Sequence, residues 1–319
     1  MGRRRGGRPI DGWLAIDKPS GMTSAAVVGK VRRLLDAAKV GHGGTLDPLA
    51  TGVLPIALGE ATKTVAYVMD GAKTYHFRVR WGEERSTDDG EGEVTATRAS
   101  RPTADAIAAA LPCFTGAIEQ VPPAFSAIKV GGRRAYDLAR AERPVSLAPR
   151  QVRVETFRLI GIPDADHADF EVRCGKGTYV RSLARDLART LDTVGHVALL
   201  RRISCGPFHE SVAISLDKLG DLGHIAASAE IVLPIETALD DIPALAVTEA
   251  EARRLQNGQA LPLSRMAAPS FPAVSSAGMP VRVMAAGRLV ALARIEGGEI
   301  RPVRVINPNT SGVTDVDYR

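Results

Sequence analysis

The heptapeptide Tyr75-His76-Phe77-Arg78-Val79-Arg80-Trp81 alternates strictly between two residue classes, and it is the clearest strand in the chain. Successive side chains of a strand point to opposite faces, so Tyr75, Phe77, Val79 and Trp81 share one face while His76, Arg78 and Arg80 share the other. A half-buried strand of this kind needs strand neighbours and a core on one side only. Candidate strands are Trp13 to Ile16, Val53 to Leu58, Gly92 to Thr97, Ser126 to Val130, Val152 to Ile160 and Ala168 to Cys174. Apolar residues recur at helical spacing from Thr23 or Ser24, either of which can cap, to about Ala38; a second helix is read from Thr103 to Ala110, and Leu183, Leu187 and Leu191 mark a third. Strands outnumber helices and come in runs instead of a regular βαβ alternation. That predicts an α+β fold with a mainly antiparallel sheet and flanking helices.

Near Pro243 the character of the chain changes. Thr248-Glu249-Ala250-Glu251 is a capping-box start for a short helix, and Val281 to Met284, Leu289 to Ile295 and Ile300 to Val305 are short strands joined at Ala286-Gly287 and Gly297-Gly298. Two domains are expected: residues 1–241, opened by a basic tail at 1–11, and a small β-rich unit at 242–319. With 319 residues and 45% hydrophobic content, the chain can bury a core in each. Its 41 Lys and Arg exceed its 36 Asp and Glu, for a net charge of +5, which suits a polyanionic partner. Cys113, Cys174 and Cys205 are scattered singly, so neither a zinc site nor a disulfide framework is suggested, and a reducing cytoplasm is the simplest setting. There is no apolar run of about eighteen residues, so no membrane span is predicted.

The window Gly41 to Pro55 holds one carboxylate, one imidazole and four glycines, with no Lys, Arg or Glu. Leu46 and Leu49 flank Asp47, and a buried strand follows. Such a carboxylate is either a turn or helix cap, since Pro48 suits the position after a capping Asp, or a catalytic group in a partly dry pocket. Local pattern leaves these level. Gly41-His42-Gly43-Gly44 is not a phosphate loop, because no Gly-Lys-Ser/Thr follows. His42 has no neighbouring Cys or His for a metal, and its default role is structural. By default Tyr75 is core packing, Tyr179 a helix-start aromatic and Arg181 a solvated helix residue. Gly175-Lys176-Gly177, however, offers free N–H groups and positive charge just before that helix.

Six segments carry a resemblance, in order along the chain: Asp17-Lys18-Pro19-Ser20-Gly21-Met22-Thr23-Ser24, Gly41 to Pro55, Lys73-Thr74-Tyr75, Pro122 to Lys129, Gly131-Gly132-Arg133-Arg134-Ala135-Tyr136 and Lys176-Gly177-Thr178-Tyr179-Val180-Arg181. Together they resemble the bacterial tRNA pseudouridine synthase B (TruB) family from residue 12 to about 210, while the C-terminal part is similar to that family's PUA-like domain in length and hairpin pattern. The resemblance implies a pseudouridine-synthase fold, no metal or organic cofactor, and conversion of uridine 55 in the tRNA T arm to pseudouridine. It implies that Asp47 is the essential aspartate and Arg181 the arginine that pairs with it. Tyr75 then packs on the target base and is placed to take part in proton removal from C5. Tyr179 and Leu200 line the uridine pocket, His42 fills the gap left when the uridine leaves its stack, and Lys63 is a further pocket-side residue. Lys129, Arg133, Arg134 and Arg140 are expected on the tRNA backbone, in a cytoplasmic enzyme that works as a monomer without an obligate protein partner. Two rivals share the scaffold, a non-catalytic tRNA-binding or folding module and a synthase acting inside a guide-RNA complex. Intact Asp47, Tyr75 and Arg181 argue against the first, and the bacterial motif wording against the second.

Overall fold

The structure is a computed structural model that describes residues 6–126, 128–130, 132–136, 141, 147–223, 231–263 and 278–307. The first half runs β1 (Gly12–Lys18), α1 (Ser24–Leu35), β2 (Val40–His42), β3 (Thr51–Leu58), α2 (Val65–Asp70), β4 (Lys73–Trp81), β5 (Glu83–Arg85), β6 (Val94–Thr97), α3 (Ala104–Ala110) and β7 (Gly116–Gln120). It continues with β8 (Lys129–Val130), β9 (Arg133–Arg134), β10 (Arg150–Asp164), β11 (His167–Cys174), α4 (Val180–Thr190), β12 (Gly195–Cys205), β13 (Phe208–His209), β14 (Ile214–Ser215) and α5 (Leu216–Leu222). The main sheet has the order β14-β1-β3-β12-β4-β11-β10-β7, with β2 paired to β3 and β13 to β12. It is antiparallel apart from the β1–β14 and β3–β12 pairs.

The alternating heptapeptide explains where this sheet buries its core. Phe77, Val79 and Trp81 are at most 3% exposed, and Phe77 stacks on Phe170 at 5.4 Å between ring centres while Trp81 meets Phe170 edge-on at 6.2 Å. Val27, Val31 and Leu35 of α1 and Leu183 and Leu187 of α4 pack in the same cluster. Burying each such side chain stabilises the fold by roughly 1.5–3 kcal/mol. On the opposite face Arg78 pairs with Asp169 at 2.6 Å and His76 with Glu171 at 3.0 Å, each directly across the β4–β11 register. Thr23 caps α1 by accepting the Ala26 N–H.

Where β3 meets β12, Gly52 faces Arg202 with φ +96°, and a Cβ built there would lie 2.2 Å from the Arg202 carbonyl oxygen. Both the backbone conformation and the close approach require glycine. Gly52→Ala is therefore expected to lower stability by more than about 2 kcal/mol, read as a shifted urea midpoint, and an unchanged midpoint would refute the close approach.

Two strand expectations change. Ser126 to Val130 is expected as a strand, but among its described residues only Lys129–Val130 pairs, in a short hairpin with Arg133–Arg134. Upstream, the carbonyls of Val121 and Phe125 are taken by side chains of α4, which leaves that segment outside a ladder. Val94–Thr97 pairs with β5 in an exposed two-stranded ribbon and not with the main sheet.

A second sheet, β15 (Ala244–Ala246), β16 (Leu261–Pro262), β17 (Pro280–Ala285), β18 (Arg288–Glu296) and β19 (Glu299–Val305), has the order β15-β17-β18-β19-β16 and packs on α6 (Glu249–Gln256). Thr248 and Glu251 form the expected capping box of α6. Leu289, Leu292 and Ile306 from this unit share a cluster with Trp13, Val53, Ala57, Val68 and Phe208, so the two sheets bury an apolar seam between them that is separate from the core of each. No helix among the described residues is long and apolar enough to cross a membrane.

Candidate active site

Asp47 is held from both sides by its own backbone. Just upstream, the buried Ser24 hydroxyl accepts the Leu46 N–H at 2.9 Å and donates to the Leu46 carbonyl at 3.0 Å. Downstream, the Lys18 ammonium spends its three donors on the carbonyls of Pro19, Met22 and Pro48, and the Gly21 N–H also reaches Pro48. Burial brings Lys18 down to about 8, against the upward pull of Asp47. The Ala50 N–H closes a turn onto the Asp47 carbonyl, and β3 follows instead of a helix, so Asp47 is no helix cap. Its carboxylate is left to project.

Arg181, in the first turn of α4, meets that carboxylate at 3.0 Å. The arginine is 5% exposed, far from the solvated residue that helical spacing suggests, and its other donors go to the carbonyls of Thr87 at 2.9 Å and Phe125 at 3.0 Å. Asp89, 2% exposed, lies 3.4 Å from the same guanidinium. One cation thus stands between two carboxylates. Asp88, also buried, pairs with Arg185 one turn along α4 at 3.0 Å, and the acidic segment itself is bridged onto β12 at Val197. Burial pushes the Asp47 carboxyl above the usual carboxylate range; Arg181 pulls it down, Asp89 pushes it up again, and Lys18 pulls it down. The result is a carboxylate that Arg181 keeps ionisable in a partly dry site.

Tyr75 is half-buried on β4, with its phenol pushed up to about 12 by burial while Arg202 pulls the other way. Leu200 on β12 is 8% exposed and packs in the main core, whereas Leu199 is 56% exposed, because a register shift between Val197 and Leu199 re-aims the strand. Tyr179 precedes α4, and the buried Gln120 amide clamps its backbone, accepting its N–H at 2.8 Å and donating to its carbonyl at 3.1 Å. His42 lies on β2; burial and then the Arg202 charge hold its imidazole below the usual value. Lys63 ends the short helical turn that follows β3. Its ammonium is held by Glu60 at 2.6 Å and by the Val305 carbonyl at 2.8 Å, and Glu60 also accepts the Asn307 N–H, so Lys63 sits at the seam with the second sheet. In the basic hairpin the register sets Lys129 opposite Arg134, and Arg133 is exposed; Arg140 lies outside the described residues.

Residues 32–180 match the N-terminal domain of TruB family pseudouridylate synthase, and residues 181–240 match the C-terminal domain of tRNA pseudouridylate synthase B. A tRNA pseudouridine synthase B from Rhodospirillum rubrum is 58% identical over 307 residues, covering 96% of this chain and 100% of the relative. The chain belongs to the TruB family. A second relative of that name, from Gluconacetobacter diazotrophicus, is 57% identical over 305 residues, covering 95% of this chain and all of the other. Among solved structures, a chain of a Cbf5-Nop10-Gar1 complex superposes with a TM-score of 0.74 at 27% identity, covering 93% of this chain and 85% of that one. The TruB chain therefore has the mixed-sheet pseudouridine-synthase fold with a small β-rich C-terminal unit.

Several residues that shape this TruB site were not legible as such. Asp88 and Asp89 stand in the acidic stretch Ser86 to Gly92, visible in the sequence as a loop without a role. Lys18 and Ser24 fall inside a quoted motif but act on backbone thirty and twenty-two residues away. Gln120 and Arg202 carry no local signal of any kind.

Proposed function

We propose that this chain isomerises uridine to pseudouridine in tRNA, at position 55 of the T arm, with Asp47 as the group that handles the glycosidic bond. The observation that carries this reading is the Asp47–Arg181 pair at 3.0 Å, a projecting carboxylate on a rigid loop with its counter-charge buried behind it. In the reaction the bond from ribose C1′ to N1 breaks and a bond from C1′ to C5 forms. The proton on C5 leaves, and N1 gains one. Breaking the first bond builds positive charge on the sugar, which an ionised carboxylate stabilises or traps covalently. Tyr75 stacks on the flipped base and is placed to serve the C5 proton, while Tyr179 and Leu200 wall the pocket. His42, kept neutral, suits insertion into the stack that the uridine leaves.

Flipping the base costs a few kcal/mol, on the order of what one aromatic stack of about 1–3 kcal/mol returns. Phosphate contacts supply the rest. The hairpin of Lys129, Arg133 and Arg134, with two basic residues at one cross-strand position, suits a polyanion, and Arg140 follows it in sequence. Residues 242–319 are read as a PUA-like domain that lengthens the contact along tRNA, and the chain as a cytoplasmic monomer needing no obligate protein partner. The test is tritium release from an unmodified tRNA transcript labelled at uridine C5, beside a transcript with cytidine at position 55. Release from the first alone is expected. No release at all would favour the non-catalytic module, and release from both would overturn the position assigned.

A further inference from the structure

Arg202 is 1% exposed, and among the described residues it joins no carboxylate. Its neighbour Arg201, on the opposite face of β12, pairs with Asp17 and Glu210 in the ordinary way. A cation buried without an acid needs other acceptors. Arg202 finds them in backbone: Nε donates to the Val53 carbonyl at 2.7 Å, Nη2 to Gly44 at 3.1 Å and Nη1 to Thr45 at 3.5 Å. Gly44 and Thr45 are the residues that lead into Leu46 and Asp47. Across the β12–β4 register Arg202 stands directly opposite Tyr75, on the same face, so that its positive charge lies beside the phenol.

We propose that Arg202 is a positioning residue that ties Tyr75 and the Asp47 loop to one rigid guanidinium, so that the phenol and the carboxylate keep a set geometry when the uridine enters. The inference rests on the functional reading above and deepens it. A guanidinium can only donate, so beside Arg202 the phenol presents its oxygen and turns its hydroxyl hydrogen away. The orientation of the tyrosine that serves C5 is thereby decided from beneath the base. Because one planar fork serves β3 and the loop together while standing beside the phenol, a lysine with a single head group cannot replace it.

Arg202→Met leaves the Val53, Gly44 and Thr45 carbonyls without their donor and is expected to lower Tm. Arg202→Lys keeps the charge and carries the test. In the full-length protein we expect its single-turnover rate of pseudouridine formation on an unmodified tRNA transcript to fall by roughly 10–100-fold, with Kd for the RNA within about threefold of wild type. The ¹³Cζ NMR signal of Tyr75, assigned by its loss in Tyr75→Phe, is expected to move in Arg202→Lys. A wild-type rate in Arg202→Lys, or an unmoved Tyr75 signal, overturns the proposal. Wild-type protein that makes no pseudouridine overturns the functional reading instead, and the Tyr75 signal then still decides the role of Arg202.

Discussion

Asp47→Asn is expected to form no measurable pseudouridine while still binding tRNA and folding at least as stably as wild type. The loss in rate should exceed about 10⁴-fold, because an amide of the same shape can neither balance charge on the ribose nor bond to it. Affinity should survive, since Asp47 projects one negative charge toward a polyanion and contributes nothing to phosphate contacts. The stability expectation follows from the direction of its titration. Burial sets the folded-state pKa of Asp47 above its ordinary value, so the stabilisation is present below the unfolded value and is lost as pH rises through the folded one. At neutral pH the ionised carboxylate therefore opposes folding, and the amide relieves it. Tritium release, filter binding and a thermal melt check the three parts. Pseudouridine made by Asp47→Asn would remove Asp47 from the chemistry, and a markedly lower Tm would contradict the electrostatic reading.

Arg181→Met should be the most damaging single change to stability in the site. It strands Asp89, 2% exposed, opposite Asp47 and leaves the carbonyls of Thr87 and Phe125 without their donor. Removing one partner of a buried ionic cluster typically costs about 3–5 kcal/mol. Arg181→Lys keeps the charge, though one ammonium cannot hold two carboxylates and two carbonyls in the fork that Arg181 uses. Its rate should fall, and the acid limb of its pH–rate profile should move to higher pH, because the pull that Arg181 exerts on the raised Asp47 pKa weakens. Urea melts and a pH series of single-turnover rates measure both effects. An acid limb that stays in place would show that Asp47 is tuned by something other than Arg181.

What was legible in the chain was legible for local reasons. The period-2 pattern of β4, the Thr23 cap and the Thr248–Glu251 box each depend on residues within a few positions of one another, and each forms as read. Where local pattern and tertiary demand conflict, the second prevails. Arg181 and Arg185 lie on a helix face that periodicity assigns to solvent, yet both are buried, because Asp89, Asp88 and the Val121 and Phe125 carbonyls converge there. The same convergence takes Ser126 out of a strand. Lys63 has a local partner in Glu60, but it also donates to a carbonyl of β19, 242 residues on, which no local reading contains.

The sequence by itself determined the class of fold, since alternation and helix signals act over one or two turns of chain. It also named Asp47, Tyr75 and Arg181 through motif resemblance. It could not choose between a cap and a catalyst for Asp47, because both need the same loop. The tertiary structure left no helix for Asp47 to cap and set a buried guanidinium, 134 residues downstream, at 3.0 Å from the carboxylate. Electrostatic fields act through space. The charges that tune this site come from α4, β12 and an acidic loop that meet only when the sheet closes.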